Sequence, residues 1–363
     1  MINVRNKIKN DLLEYEKNSD KKIFKKDLNK SIYYLIENTV LIIILYYICY
    51  KVENNNCNKI LNYFILIICL LTIGVLFWGQ FVIGHDMGHQ SFSNYKDLNR
   101  FLGVITHGNI LVPFQQWRCS HRKHHKNTGH IDYDEIFKPI KKSNNFFEFI
   151  SNNITIFPYV WLSYLFLGYP EDNNNHFDFN FVLAEDHVER KSNKYSTIYI
   201  LFVLCFLTYL GKIFGYKKIA FYYFIPWTIF NYLIVMVTFL QHQNENINWK
   251  NDESGWSSDY GALQSVNRSY GQMFDYLSRN IGPYHQIHHL FPKIPHYNLK
   301  TAYFVFKNKY PELVNDAKGS GFIFQLKEYF KLSKKWKKNI ILKNNKNNFY
   351  ENFLGIKLSN QFN

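Results

Sequence analysis

Four apolar stretches, at roughly 32–50, 60–83, 195–214 and 219–241, constrain this chain most. Each approaches the length of about 20 residues that a helix needs to cross a bilayer. Within hydrocarbon the backbone must satisfy its own hydrogen bonds, so the stretches read as helices. Lys51 to Lys59 joins the first pair, and Gly211 to Lys218 joins the second. Connectors this short make two antiparallel hairpins. Each hairpin brings the chain back to its starting side. The N-terminus, region 85–194 and everything beyond 242 are therefore expected on one membrane face. Lys7, Lys9, Lys21, Lys22, Lys25 and Lys26 precede the first span and mark that face as cytoplasmic.

Two further apolar stretches fit this scheme less simply. Phe101 to Phe114 is too short to span. Phe146 to Leu167 is interrupted by Asn152, Asn153 and Pro158. Both read as interfacial or re-entrant helices. A fifth span at 146–167 is the alternative, and it would flip the topology. Glu37 and Asn38 blur the start of the first span.

The net charge of +15 would raise nucleic-acid binding in a soluble protein. Here the lysines gather in the first thirty and last sixty residues, outside the apolar spans, and no nucleic-acid motif accompanies them. Membrane flanks facing anionic headgroups explain them better. The mean hydropathy of -0.27 averages apolar spans with Asn- and Lys-rich connectors. Five cysteines, Cys49, Cys57, Cys69, Cys119 and Cys205, show no regular spacing and read as packing residues. The polar, basic beginning reads as the flank of a true span and not as a cleavable leader.

Three histidine clusters carry the chemistry. They are His85-Asp86-Met87-Gly88-His89, His121-Arg122-Lys123-His124-His125 and His285-Gln286-Ile287-His288-His289. Eight of the fourteen histidines fall in these windows. Residues three or four apart share a helix face, so each cluster can aim its imidazoles at one point. Eight imidazoles exceed the needs of one tetrahedral zinc and suit two metal ions. The topology above places all three clusters on the same face.

The strings around these clusters are specific. Gly84-His85-Asp86-Met87-Gly88-His89 is followed by Ser91-Phe92-Ser93. Then come Leu111-Val112-Pro113-Phe114, Trp117, Ser120-His121-Arg122-Lys123-His124-His125-Lys126-Asn127 and Asp134-Glu135. Gln241-His242, His285-Gln286-Ile287-His288-His289-Leu290-Phe291-Pro292 and Ile294-Pro295-His296-Tyr297-Asn298 complete the set. Over roughly residues 70–310 the chain resembles the membrane fatty acid desaturases, in particular their methyl-end Delta-12 and omega-3 group.

The resemblance implies an all-α integral membrane protein. Four transmembrane helices in two hairpins would lie under a cytoplasmic helical cap holding a histidine-rich di-metal site. It divides the chain into a basic cytoplasmic segment 1–31, a desaturase domain 32–310 and a Lys- and Asn-rich cytoplasmic tail 311–363. The tail is expected to be loosely ordered from Asn344.

The resemblance also implies two iron ions, molecular oxygen as co-substrate and a cis double bond inserted into a lipid-linked acyl chain. The implied ligands are His85, His89, His121, His124, His125, His285, His288 and His289, with His242 at the end of the fourth span as a ninth. Asp86, Asp132, Asp134, Glu135 and Asp275 are candidates to orient those imidazoles. His107 is expected near the site or packed in its interfacial helix. His130 and His296 lie in family-like stretches. His176 and His187 sit in polar loops and are expected to be solvated.

Electrons are expected from an external donor, because the His-Pro-Gly-Gly string of a fused cytochrome b5 domain does not occur. Cytochrome b5 at the endoplasmic reticulum, or ferredoxin in a plastid, would serve. The missing Arg/Ser-rich leader favours the endoplasmic reticulum.

Regiochemistry stays open at this level. The string around Ile287 to Tyr297 leans towards the omega-3 group, as do Gly129-His130 and Asp134-Glu135. Thr128 and Gln241-His242 lean towards Delta-12. A hydroxylase, epoxygenase or conjugase on the same scaffold is an alternative, as is a sphingolipid or acyl-CoA desaturase.

Overall fold

The computed structural model describes residues 4–54, 58–137, 159–168, 174–245 and 247–337, and among these there are helices but no strands. Helices α1 (Val4–Lys17), α2 (Leu28–Glu53), α3 (Lys59–Gly88), α4 (Lys96–Gly108), α5 (Phe114–Asn127) and α6 (Tyr159–Leu167) come first. They are followed by α7 (His187–Phe214) and α8 (Tyr216–His242). The last group is α9 (Ser258–Gln264), α10 (Gln272–Leu277), α11 (His285–Leu290), α12 (His296–Lys309) and α13 (Phe322–Lys337).

Four helices, α2, α3, α7 and α8, are long and apolar enough to cross a membrane, at 26, 30, 28 and 27 residues. They match the four apolar stretches but overrun them. Asp27, Asn58 and Asp186 accept the N–H of Lys30, Leu61 and Glu189 at 3.1, 3.1 and 2.7 Å. Such caps satisfy a backbone donor that the first turn leaves free, and so move each start upstream of the apolar run. Ile43, Leu71 and Phe202 remain exposed on α2, α3 and α7. α8 is the most enclosed of the four and packs along α3. Its first half contains a π-turn at Ala220–Phe224 just before Pro226.

Segment 146–158 of the stretch weighed as a fifth span lies outside the described residues. Its end, Tyr159–Leu167, is nine residues long, with Trp161 and Leu165 buried. Two flanking regions are also packed. α1 buries Val4, Ile8 and Leu12 and lies against α12. α13 brings Tyr329 and Trp336 against Phe239 of α8, at 5.7 and 6.1 Å between ring centroids. The expected loose tail from Asn344 lies outside the described residues.

Candidate metal centre

Three helix ends and one short helix deliver the histidines. α3 stays helical through Gly88, so His85 and His89 lie one turn apart at its end. α5 is fixed by polar contacts to the start of α7. The Gln116 amide donates to Asn193 O and Thr197 Oγ1 at 3.1 and 2.9 Å. Glu189, itself buried, pairs with Arg118 and Arg122 at 3.2 and 2.5 Å. Behind α5, Trp227 Nε1 and Tyr223 OH donate to the carbonyls of Ile110 and Asn109 and hold the turn that launches it.

The third cluster rides on α11, only six residues long, which Gln286 anchors. Its amide donates to Leu263 O and Leu313 O at 2.9 and 2.7 Å, and its Oε1 accepts the Asn315 N–H at 3.0 Å. His242 closes α8.

All nine histidines meet in two adjoining groups. The ring nitrogens of His85, His89, His121, His125 and His288 lie within 4.8 Å of one another, as do those of His124, His242 and His289. His285 joins the second group through His242, Nε2 to Nε2 at 3.1 Å. Other Nε2 pairs are as close: His85 to His89 at 3.2 Å, His121 to His125 at 3.1 Å, His125 to His288 at 3.2 Å and His124 to His242 at 3.2 Å. Adjacent ligand nitrogens about 2.1 Å from one ion are about 3.0 Å apart at right angles and about 3.4 Å apart in a tetrahedron, and the observed spacings fall between.

Five of the imidazoles are held in their neutral, metal-binding form. Burial, and then the neighbouring histidines, hold His121, His125, His285 and His289 well below 6.5, so each keeps a lone pair. Burial likewise depresses His288, with His85 adding to the effect. His289 Nδ1 is 3.2 Å from Thr128 Oγ1, whose own hydroxyl donates to His124 O, so Nδ1 carries the proton. His289 Nε2 then remains buried without a protein partner, and a buried orphan of this kind is uncommon. The donor set is nitrogen throughout, which suits iron, zinc, copper or nickel. The residues fit two such ions.

Of the candidate carboxylates, Asp134 meets His124 Nδ1 at 2.6 Å. Asp86 is bonded to His296, and its other oxygen lies 3.7 Å from His85 Nδ1, too far for a hydrogen bond. Glu135 pairs with Lys123, and the Asp132 N–H donates to His130 Nδ1 at 3.1 Å. Asp275 does not serve the third cluster. It accepts from Ser269 Oγ and the Tyr270 N–H at 2.5 and 2.9 Å, because those groups reach it first as it caps its own turn.

His107 packs against the first cluster's helix. Its ring stacks on Phe81 at 4.6 Å, its Nε2–H donates to Phe81 O at 2.9 Å, and burial pushes it down to about 3. His187 is exposed, as expected. His176 overturns its expectation of solvation. It is fully buried, with Nε2 at 2.8 Å from Ser120 Oγ and its ring against Tyr164 and Phe181. Polar neighbours in sequence gave no sign of this, since Ser120 and Tyr164 come from α5 and α6. Glu189 and Gln286 also escaped the sequence reading, though Gln286 lies between two site histidines.

A cavity of about 130 Å³ opens onto His85, His121, His124, His242 and His285. Its other walls are mainly apolar, including Trp78, Phe81, Trp161 and Val235.

Comparison with known families identifies what the chain is similar to. A family model described as fatty acid desaturase matches residues 61–315. The chain belongs to the fatty acid desaturase family. It is therefore an oxidoreductase. It is 34% identical over 286 residues, covering 77% of this chain and 75% of the relative, to a protein of Nostoc sp. (strain 36) named sn-1 acyl-lipid omega-3 desaturase (ferredoxin). It is 35% identical to the Arabidopsis thaliana acyl-lipid omega-3 desaturase (cytochrome b5), endoplasmic reticulum, covering 69% of this desaturase and 66% of the relative. It is 37% identical to the Helianthus annuus sn-2 acyl-lipid omega-3 desaturase (ferredoxin), chloroplastic, covering 63% and 52%.

Proposed function

We propose that this desaturase inserts a cis double bond at the omega-3 position of a lipid-linked acyl chain, using two iron ions held by His85, His89, His121, His124, His125, His242, His285, His288 and His289. The observation that carries the reading is the meeting of nine imidazoles with one end of an apolar cavity. The omega-3 position follows the names of the relatives above.

Two irons held by these histidines would supply, with molecular oxygen, an oxidant strong enough to break unactivated C–H bonds. The chain's own residues hold and shield. Trp78, Phe81 and Trp161 offer the acyl chain an apolar wall and keep water out. Asp134 and Thr128 fix the imidazole tautomers of His124 and His289.

Electrons come from an external donor, cytochrome b5 or ferredoxin. The four long helices form two hairpins in the endoplasmic reticulum membrane, with the histidines on the cytoplasmic face beside the basic N-terminal segment.

Expression in yeast supplied with a dienoic fatty acid, followed by analysis of fatty acid methyl esters, tests the reading. A new double bond three carbons from the methyl end is the expected product. A Delta-12 product from oleate would reassign the regiochemistry. A hydroxy or epoxy product would replace desaturation by the related oxidation.

A further inference from the structure

We propose that Asp86 and His296 form a positioning pair that sets the first histidine group by locking the end of α3 to the chain that leaves α11. The inference rests on the reading that the two groups hold metal ions. Asp86 lies in the last turn of α3, between His85 and His89, and is 2% exposed. His296 opens α12 and is 3% exposed. One carboxylate oxygen, Oδ2, accepts two hydrogen bonds from His296: the backbone N–H at 3.0 Å and Nδ1–H at 2.8 Å. Charge-assisted bonds of this kind, made away from water, are strong and directional.

The surroundings hold both partners still. The Asp86 carbonyl accepts the N–H groups of Ser91 and Phe92 at 2.9 and 3.3 Å, which fixes the end of α3. Tyr34 packs its ring against His296 at 4.7 Å and stacks on Tyr297 at 5.9 Å. The Tyr297 hydroxyl accepts the Asp27 N–H at 2.9 Å. Pro292 and Pro295 stiffen the few residues between His289 and His296.

Geometry makes the pair asymmetric between the two groups. The first group draws His85 and His89 from α3 and His288 from α11, so it forms only when those helices are in register. The Asp86–His296 bonds tie α3 to the chain just beyond α11, and so set that register. The second group has supports of its own: Asp134 on His124 and Thr128 on His289. Breaking the pair should therefore weaken the first group and spare the second. Loss of a partner that orients a metal ligand typically weakens metal binding by about 10- to 100-fold.

Purified full-length protein titrated anaerobically with ferrous iron tests this, read by bound iron per chain and by Mössbauer spectroscopy. Wild-type protein should bind two ions. If it does not, the di-metal reading fails and the pair is not at issue. His296→Leu should retain one ion tightly and bind the other about 10- to 100-fold more weakly, with one of two spectral components lost. His296→Asn keeps a side-chain N–H close to the position of Nδ1 and should restore the second ion. Asp86→Ala removes the oxygen that accepts both bonds and should behave like His296→Leu. Two tightly bound ions with unchanged spectra in both His296→Leu and Asp86→Ala would overturn the proposal, as would equal weakening of both ions. If His296→Leu does not fold, as judged by thermal melting of the metal-free protein, the contrast between His296→Asn and Asp86→Ala decides. Equal iron binding by those two variants then overturns the proposal.

Discussion

Asp134 bridges the side chain of His124 and the backbone of the turn that follows α5. Its Oδ1 accepts Nδ1–H of His124 at 2.6 Å, and its Oδ2 accepts the Gly129 N–H at 2.7 Å. Both partners are buried, so the carboxylate chooses one imidazole tautomer and one ring orientation. Nε2 of His124 is left with its lone pair beside His242.

Replacing Asp134 by Asn tests that arrangement. An amide can accept from His124 through its oxygen, but its NH₂ group then faces the Gly129 N–H, donor against donor. The expected outcome is iron binding weakened by about 10- to 100-fold in the second group, with matching loss of desaturation. Anaerobic iron titration measures it. Unchanged affinity would show that His124 is oriented by packing alone.

His242→Ala should be as damaging as replacement of any histidine in the three clusters, although it lies outside them. Its Nε2 is 3.2 Å from that of His124 and 3.1 Å from that of His285, which makes it the hub of the second group. Activity and iron content in membranes check this. His187→Ala is the control, because an exposed side chain should change stability by no more than about 0.5 kcal/mol. Full iron content and activity in His242→Ala would remove it from the ligand set.

The spans and the histidine clusters were legible because both are local patterns. Hydropathy over some twenty residues marks a membrane helix. Spacing within a helical turn marks a shared face. What stayed hidden depends on how separate segments pack and, for Asp275, on a local turn. His176 sits in an Asn-rich stretch, yet Ser120, Tyr164 and Phe181 enclose it. Asp275 looked close enough in sequence to serve His285, but Ser269 and Tyr270 occupy it. Glu189 reads as an ordinary polar residue at a helix start, and only the approach of α5 gives it Arg118 and Arg122.

Gly79 marks a close approach that tolerates no side chain. A Cβ there would stand 2.3 Å from Leu277 O and 2.9 Å from Asn38 Oδ1. The Leu277 carbonyl is backbone, so the clash moves α10, which leads into the loop before His285. Gly79→Ala should therefore destabilise the protein by about 1–3 kcal/mol, the usual cost of overpacking. Thermal melting in detergent would show it, and an unshifted transition would mean that α10 gives way freely.

Acid sensitivity should carry a contribution from His176. Burial pushes its imidazole down to about 4, against 6.5 for an unhindered histidine. The unfolded chain therefore takes up a proton at His176 at a higher pH than the folded one. Unfolding binds that proton between about pH 6.5 and 4, so stability falls as pH drops through this window and is level above it. A shift of this size corresponds to about 3 kcal/mol when complete. His176→Gln keeps an amide within reach of Ser120 but cannot titrate. Melting of the metal-free proteins at pH 7.5 and 5 separates this contribution from the other buried histidines, which are common to both. The variant should lose less stability on acidification than the wild type. Equal losses would mean that His176 is already protonated in the folded protein, or that water reaches it.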